Sequence, residues 1–395
     1  MTDSHARRTV LKAMSVGVPL TGLAGLAAAT GTPPARAAGT ALDPARRLAE
    51  ALSENAGVVG REVDGLGPLE ADRALFFLLS AYDLATEMWF QKGDPTAPVL
   101  TNWELPWRKY GGDNPTTIYL SAPVSPNLRY RLRGPIAAAV YAGVQVYTKG
   151  PGFNAPSANI SDTRLLGAGR DIDLLIGGPD PGDGSPWLPL VADDYLVMVR
   201  LYHRYVPGDP PPISLSCMDS VPGTGPSLST RADQSEAFFR DAVLSTMSVT
   251  EVLRAAGVNG YPPADAPVHQ PRYTGALFPT LDNVYDGFFL SLGPGQGLRL
   301  RGRPPVARYW SMVFYDRWFN TPDIPAHRCF LTGEDVRLEA DGSYEVVLAP
   351  QNPWPGNPGH PNWIDTAGLS EGIFALRCLL PERRELPVAD VISLR

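Results

Sequence analysis

The chain is short of lysine, cysteine and histidine, and each shortage removes a class of explanation. Only four of its 34 basic residues are lysine, a bias that reads as genomic composition rather than as anion binding. Residues 1–37 hold four Lys or Arg and one Asp, so the remainder carries 30 basic and 40 acidic side chains. Such an acidic body disfavours nucleic acid or an anionic membrane as partner. Cys217, Cys329 and Cys378 are odd in number and widely spaced, and no CxxC or Cys/His cluster is present, which argues against a disulfide scaffold or a structural zinc site. Cys329 and Cys378 share a strand-like apolar context in one half, which leaves open either one pair or buried free thiols. His5, His203, His269, His327 and His360 never fall at i, i+2 or i, i+4, so no metal-binding pair is spelled locally. Asp180 and Asp183 in a Gly/Pro-rich run supply too few oxygens for calcium and read as a solvated turn. A phosphate-cradling glycine loop and a dinucleotide fingerprint are also missing, so no metal or cofactor is expected.

What the chain does contain is apolar surface and an address. At 395 residues with 44% hydrophobic content it can bury a real core and form two or three domains. Residues 1–37 read as a twin-arginine signal peptide. Ala6-Arg7-Arg8-Thr9-Val10-Leu11-Lys12 matches the pattern, a weakly apolar stretch follows over 13–30, and Ala35-Arg36-Ala37 offers a small-x-small cleavage site. That stretch contains glycines, a proline and threonines, and no other window approaches the ~20 apolar residues of a membrane span. The expectation is a protein with no stable membrane span, secreted or held in the cell envelope, and exported folded by the twin-arginine machinery.

Two stretches are variations on one theme. Tyr130-Arg131-Leu132-Arg133-Gly134 and Leu298-Arg299-Leu300-Arg301-Gly302 are each followed, seven and thirteen residues past the glycine, by tyrosines: Tyr141 and Tyr147, then Tyr309 and Tyr315. Tyr119 and Tyr285 precede the motifs, and Trp187 with Arg200 is echoed by Trp363 with Arg377. Agreement of this kind points to a duplicated β unit, because strand pattern and turn chemistry are what repeat.

Around the repeats the periodicity changes. Residues 43–57 and 70–90 read as helices, the second with Leu75, Leu78, Leu79, Tyr82, Ala85 and Trp89 on one apolar face. Strand patterns occupy 128–133, 139–147, 172–176 and 195–204, and again 288–292, 298–301, 308–315, 344–348 and 372–379. Between them lies a helical connector, with capping-box spacing at Asp233/Glu236 and Ser248/Glu251, Gly257 suited to a left-handed cap, and a proline-rich link over 261–271. The predicted fold is mainly β: two duplicated antiparallel β-sandwich units of jelly-roll type with a helical N-terminal segment and a helical connector. Its expected parts are the helical segment 41–112, a first repeat over 113–215, the connector 216–279 and a second repeat over 280–395.

The second repeat also carries an ordered series: Leu281-Asp282-Asn283-Val284-Tyr285, the Leu-Arg-Leu-Arg-Gly motif with Pro304-Pro305, Arg308-Tyr309-Trp310-Ser311, Asp341-Gly342-Ser343, Asn362-Trp363-Ile364-Asp365-Thr366, Gly368, Gly372 and Arg377. In this it resembles the bacterial family catalogued as domain of unknown function 1214, and Gly111-Gly112-Asp113-Asn114 with Tyr119 and the first motif is similar to the same group. The resemblance implies a β-rich sandwich and brings no established activity, substrate or catalytic residue.

Candidate site residues follow from strand parity. Val140, Ala142, Val144 and Val146 should face the first core, which turns Tyr141, Gln145, Tyr147 and Lys149 the other way; in the second repeat Trp310, Met312 and Phe314 point inward and Tyr309, Ser311, Tyr315 and Arg317 outward. A face repeating tyrosine suits either a covered interface or the wall of a cleft. One reading is an enzyme acting on a small molecule or glycan, with Asp365, Asp282 or Glu371 as acid or base, Arg317 or Arg377 holding an anionic or carbonyl group, and Tyr309, Tyr315, Trp363, Tyr141 and Tyr147 contacting the ligand. The alternatives are a non-catalytic binder of a sugar-like or aromatic ligand and a purely structural envelope protein. Gly368-Leu369-Ser370-Glu371-Gly372 matches a nucleophile string, but a strand pattern follows it where a helix is required, so it reads as a turn. For export, the expected outcome is that R7K/R8K retains a fused reporter inside the cell, measured by fractionation, whereas the unaltered leader delivers it outside.

Overall fold

The computed structural model describes residues 42–149, 154–166, 169–219, 223–262, 277–354, 356–357 and 360–394; the expected leader, 1–37, and most of the proline-rich link lie outside them. The first unit contains β1 (Thr101–Asn102), β2 (Thr117–Pro123), β3 (Tyr130–Pro135), β4 (Tyr141–Lys149), β5 (Asn154–Ser161), β6 (Asp171–Ile176), β7 (Trp187–Leu188), β8 (Asp194–Tyr202) and β9 (Ser214–Cys217). They form two sheets, an inner one in the order β1-β2-β8-β4-β5 and an outer one in the order β7-β6-β3-β9. The second unit contains β10 (Asn283–Ser291), β11 (Gln296–Gly302), β12 (Tyr309–Tyr315), β13 (Phe330–Thr332), β14 (Tyr344–Ala349), β15 (Trp363–Asp365), β16 (Glu371–Leu379) and β17 (Val388–Ser393). Its inner sheet runs β10-β16-β12-β13 and its outer sheet β15-β14-β11-β17.

The duplication is thus explicit in the topology. Inner strands β2-β8-β4 correspond to β10-β16-β12, the outer sheets match strand for strand, and each outer sheet carries one parallel pair, β6 with β7 and β14 with β15. Each Arg-Leu-Arg motif does the same job. Leu132 and Leu300 are fully buried in their cores, while Arg131 and Arg133 share Asp173 on the neighbouring strand and Arg299 and Arg301 share Asp390. At Gly134, φ is +147° and a Cβ would stand 2.6 Å from the carbonyl oxygen of Pro212, so only glycine lets that strand pass.

Strand parity sorts the faces as expected. Ala142, Val144 and Val146 lie in the first core and Trp310, Met312 and Phe314 in the second, and Tyr141, Tyr147, Tyr309 and Tyr315 leave by the opposite face. Val140 departs from this and packs against the tyrosines. All three cysteines are free; Cys329 and Cys378 are buried, and burial pushes both thiols up to about 12.

Helices cover part of the remaining surface. They are α1 (Asp43–Val63), α2 (Pro68–Ala85, continued by a π-helical turn over Thr86–Gln91), the short α3 (Asp162–Leu166) and α4 (Leu228–Ala256). The buried stripe of α2 is Ala74, Phe77, Leu78, Ala81, Leu84 and Ala85, packed with Phe239 and Val243 of α4 and with Tyr147 and Met198 of the first inner sheet. Leu75 and Leu79, expected on that stripe, are 55% and 48% exposed, because small alanines and Phe77 fit the contact and the bulky leucines fall on the flank. The two expected capping boxes sit in the middle of α4. Its N-cap is Ser227, whose side chain accepts from the Thr230 N–H, and Asp233 and Glu236 instead meet Arg47 of α1. Gly257 ends the helix in an extended conformation rather than a left-handed one. Since Leu132 and Leu300 occupy equivalent core positions, L132A and L300A should each cost about 2–5 kcal/mol in chemical denaturation, with similar losses for the two.

Candidate functional site

The tyrosine-bearing faces of the two inner sheets meet each other. Tyr141 and Tyr202 of the first unit pack against Tyr309 and Leu379 of the second, which are their own equivalents by sequence offset and strand register. The polar contacts are made twice in the same way. Tyr141 Oη donates to Asp282 Oδ2 just ahead of β10, and Tyr309 Oη shares a 2.6 Å hydrogen bond with Thr116 Oγ1 just ahead of β2. Asn159 Nδ2 also donates to Asp282, at 3.1 Å.

At the centre of each inner sheet stands an arginine, Arg200 on β8 and Arg377 on β16, and each is flanked by an equivalent pair of tyrosines. The Arg200 guanidinium lies 5.7 Å from the Tyr119 ring and 5.8 Å from that of Tyr147; Arg377 lies 5.4 Å from Tyr285 and 5.6 Å from Tyr315. The two centres touch, because Arg377 Nη1 also approaches the Tyr119 hydroxyl at 3.5 Å. Both arginines are more than nine-tenths buried. Burial pushes the Tyr147 phenol up to about 12 despite the opposing Arg200 charge, and raises Tyr119, Tyr202 and Tyr315 as well, so these hydroxyls stay neutral.

The partners of the two guanidiniums differ. Arg200 donates to Gln145 Oε1 and, at 2.6 Å, to the Phe278 carbonyl at the end of the connector. Arg377 donates to the Gly112 carbonyl, and its Nε has no hydrogen-bond partner among the described residues. Among those residues, no carboxylate stands within ion-pairing distance of either arginine. Glu104 is within electrostatic reach of Arg377, and burial pushes its carboxyl well above the usual range, with Asp113 adding to the shift against Lys109, Arg108 and Arg377. A carboxyl so placed tends to keep its proton and supplies little negative charge. Beside Arg377 there is also room: Tyr285, stacked near its guanidinium, is 43% exposed although its neighbours are buried. Asn283 Nδ2 donates to Tyr285 Oη at 3.2 Å and to Tyr202 Oη.

The loop Gly111-Gly112-Asp113-Asn114 assembles this centre. Asp113 accepts from Thr321 through its carboxylate and from Tyr315 Oη through its carbonyl at 2.9 Å, and Asn114 Oδ1 accepts from Tyr309 Oη at 3.3 Å. Gly112 has φ +79°, and a Cβ there would lie 2.6 Å from the Phe319 ring, so glycine is what allows its carbonyl to reach Arg377.

Of the residues expected from sequence, Tyr141, Tyr147, Tyr309, Tyr315, Arg377 and Asp282 come together at this inter-unit contact. The others sit elsewhere. Arg317 binds Glu371, with Glu70 at 3.6 Å and the Glu62 carbonyl at 3.3 Å, fastening the helices to the second unit. Asp365 accepts from the Ala367 N–H at 2.7 Å and lies 2.8 Å from His327 Nδ1, and Trp363 Nε1 donates to the Ala349 carbonyl at 3.1 Å. Ser370 falls in a turn ahead of β16. Arg200, Tyr119, Tyr285 and Glu104 were not singled out as site residues, although the repeat that pairs Arg200 with Arg377 and Tyr119 with Tyr285 was visible in the sequence.

Residues 283–383 match the model of a family described as "Protein of unknown function (DUF1214)", which is the family the sequence resembles. No curated protein matches the chain. Among solved structures, an uncharacterised protein from Burkholderia cenocepacia shares the fold at 19% identity with a TM-score of 0.76, over 89% of this chain and 97% of that one. A protein from Vibrio parahaemolyticus aligns at 11% identity with a TM-score of 0.45, over 80% of this chain and 97% of its own.

The Glu104 environment has a measurable consequence. Because the carboxyl is raised in the folded state, the folded protein binds more protons than the unfolded chain between the two values, and stability falls as pH climbs through that window. E104Q, a neutral mimic, should leave stability nearly unchanged below pH ~4 and increase it above the raised value, read by urea denaturation across pH. An effect of equal size at every pH contradicts this.

Proposed function

We propose that this protein takes a small organic oxyanion, a carboxylate-bearing molecule, between its two β units, with Arg377 as principal partner and Tyr119, Tyr285 and Arg200 around it. The observation that carries the reading is the state of Arg377: a buried guanidinium that, among the described residues, has no carboxylate partner and no partner on Nε, beside a tyrosine ring that is accessible. A buried cation of this kind is costly unless an anion completes it, and a guanidinium matches a carboxylate through paired hydrogen bonds. The Tyr285 ring adds a stacking surface for an aromatic or planar ligand. We place the activity outside the cytoplasm on the strength of the leader sequence, Arg7-Arg8 and Ala35-Arg36-Ala37, alone.

Glu104 favours a second reading, in which the bound molecule is also transformed. A carboxyl that keeps its proton near a guanidinium-held substrate is placed to act as a general acid. It takes precedence over Asp282, which is engaged by Tyr141 and Asn159, and over Asp365 and Glu371, which are held by His327 and Arg317.

The test is thermal denaturation and calorimetry with benzoate, 4-hydroxybenzoate, succinate and inorganic phosphate. A carboxylate at about 100 times its Kd should stabilise the folded protein by about 2.7 kcal/mol. R377M should lower the affinity at least about tenfold while keeping or raising the melting temperature of the free protein, because it removes an unpaired buried charge. Undiminished binding in R377M, or no response to any of the four anions, overturns the proposal. Conversion of the bound carboxylate, followed by NMR and lost in E104Q, separates catalysis from simple binding.

A further inference from the structure

The second unit has a cleft of about 320 Å³ on its outer side, lined by Arg301, Glu339, Ser343, Tyr344, Glu345, Trp354 and His360. The sandwich core lies between it and Arg377. We propose that this cleft binds a neutral saccharide, a site independent of the anion site between the units. Its lining includes an aromatic pair: the Trp354 and His360 rings are stacked with centroids 3.7 Å apart and planes 22° from parallel. Aromatic faces of this kind accept the apolar face of a sugar ring, and the carboxylates and guanidinium of the lining, Glu339, Glu345 and Arg301, are planar groups suited to its hydroxyls.

Two observations show that the site is built. The residues carrying the rings are hydrogen-bonded in place: the Trp354 N–H donates to Asn352 Oδ1 at 2.8 Å, Asn357 N–H to the Trp354 carbonyl at 2.8 Å, and His360 N–H to the Asn357 carbonyl at 3.0 Å. Asn362 then pins the segment through the Arg337 and Glu345 carbonyls, both at 2.8 Å. The charge state is also fixed. His360 Nδ1 accepts from the Asn362 N–H at 3.3 Å, which requires an unprotonated nitrogen, and burial together with the Arg337 charge lowers its pKa. With a neutral imidazole, two carboxylates and one guanidinium already engaged by Asp390, the lining repels an anion. The corresponding connection in the first unit, residues 177–186, has no aromatic residue, so this is a property of one copy.

The experiment is titration of the full chain with maltotriose, cellotriose and chitotriose, read by tryptophan fluorescence and calorimetry, with choline as a cationic control. At least one trisaccharide should bind saturably, and W354A should weaken it at least about tenfold without altering the far-UV spectrum. Should W354A fail to fold, the E339Q/E345Q double variant supplies the second measurement and should weaken the same trisaccharide. Failure of all three sugars, unchanged affinity in the folded variants, or binding of choline in their place overturns the proposal. Because none of the probes is an anion, none of these outcomes bears on the carboxylate site.

Discussion

Everything in this molecule is arranged around two positive charges held between two sheets. Arg200 and Arg377 project from the middle strands of inner sheets, among tyrosine rings, an amide and backbone carbonyls. Tyrosine is a side chain that can close such a contact. It gives apolar area to exclude water, a ring face that attracts a cation, and a hydroxyl that finds a partner when buried. The remaining cost of desolvating the guanidiniums is offset unequally: Arg200 has the Phe278 carbonyl and Gln145, whereas Arg377 retains a nitrogen unsatisfied among the described residues. That inequality puts the unsatisfied guanidinium nitrogen on the second unit's side of the contact.

The other layers keep the two sheets in position. The helices α1, α2 and α4 share a core cluster with the first inner sheet and reach the second unit through ion pairs, Arg73 to the fully buried Asp316 and Glu70 to Arg317. The Gly111-to-Asn114 loop performs the complementary task within the contact itself, offering carbonyl and carboxylate acceptors to three residues of the second unit. Small residues recur wherever backbone must come close, as at Gly112 against Phe319 and at the alanines of α2.

Much of the fold was legible in the sequence because alternation and turn chemistry are local. The Arg-Leu-Arg-Gly repeats marked β3 and β11, and parity assigned Val144, Val146, Met312 and Phe314 to the cores and Tyr141, Tyr147, Tyr309 and Tyr315 to the opposite face. Short strands such as β7, β13 and β15 were not legible, since two or three residues carry no period. The stripe on α2 was misassigned at Leu75 and Leu79 because hydrophobicity alone does not say which flank of a helix meets a neighbour, and the partner surface preferred alanine. The site was legible only in part. Tyrosines facing away from a core announced a contact, but the pairing of Tyr119 with both Arg200 and Arg377 joins residues 81 and 258 positions apart, which no local pattern encodes. Asp365, Arg317 and Trp363 looked chemical because of their types, and the structure gives each a partner away from the central arginines.

The reciprocal contacts, Tyr141 to Asp282 and Tyr309 to Thr116, have the form of an interface between two identical subunits, in which one patch is used on both sides. Covalent linkage of the halves therefore does for this chain what dimerisation would do for a single sandwich. Its effect reaches further than assembly: in a true homodimer any substitution appears twice, whereas here Thr116 and Asp282, or Gln145 and Val313, were free to part company. Tandem fusion thus releases a symmetric interface from its symmetry, and a centre in which the two equivalent arginines have different partners is a state that a strictly symmetric pair of identical chains could not hold.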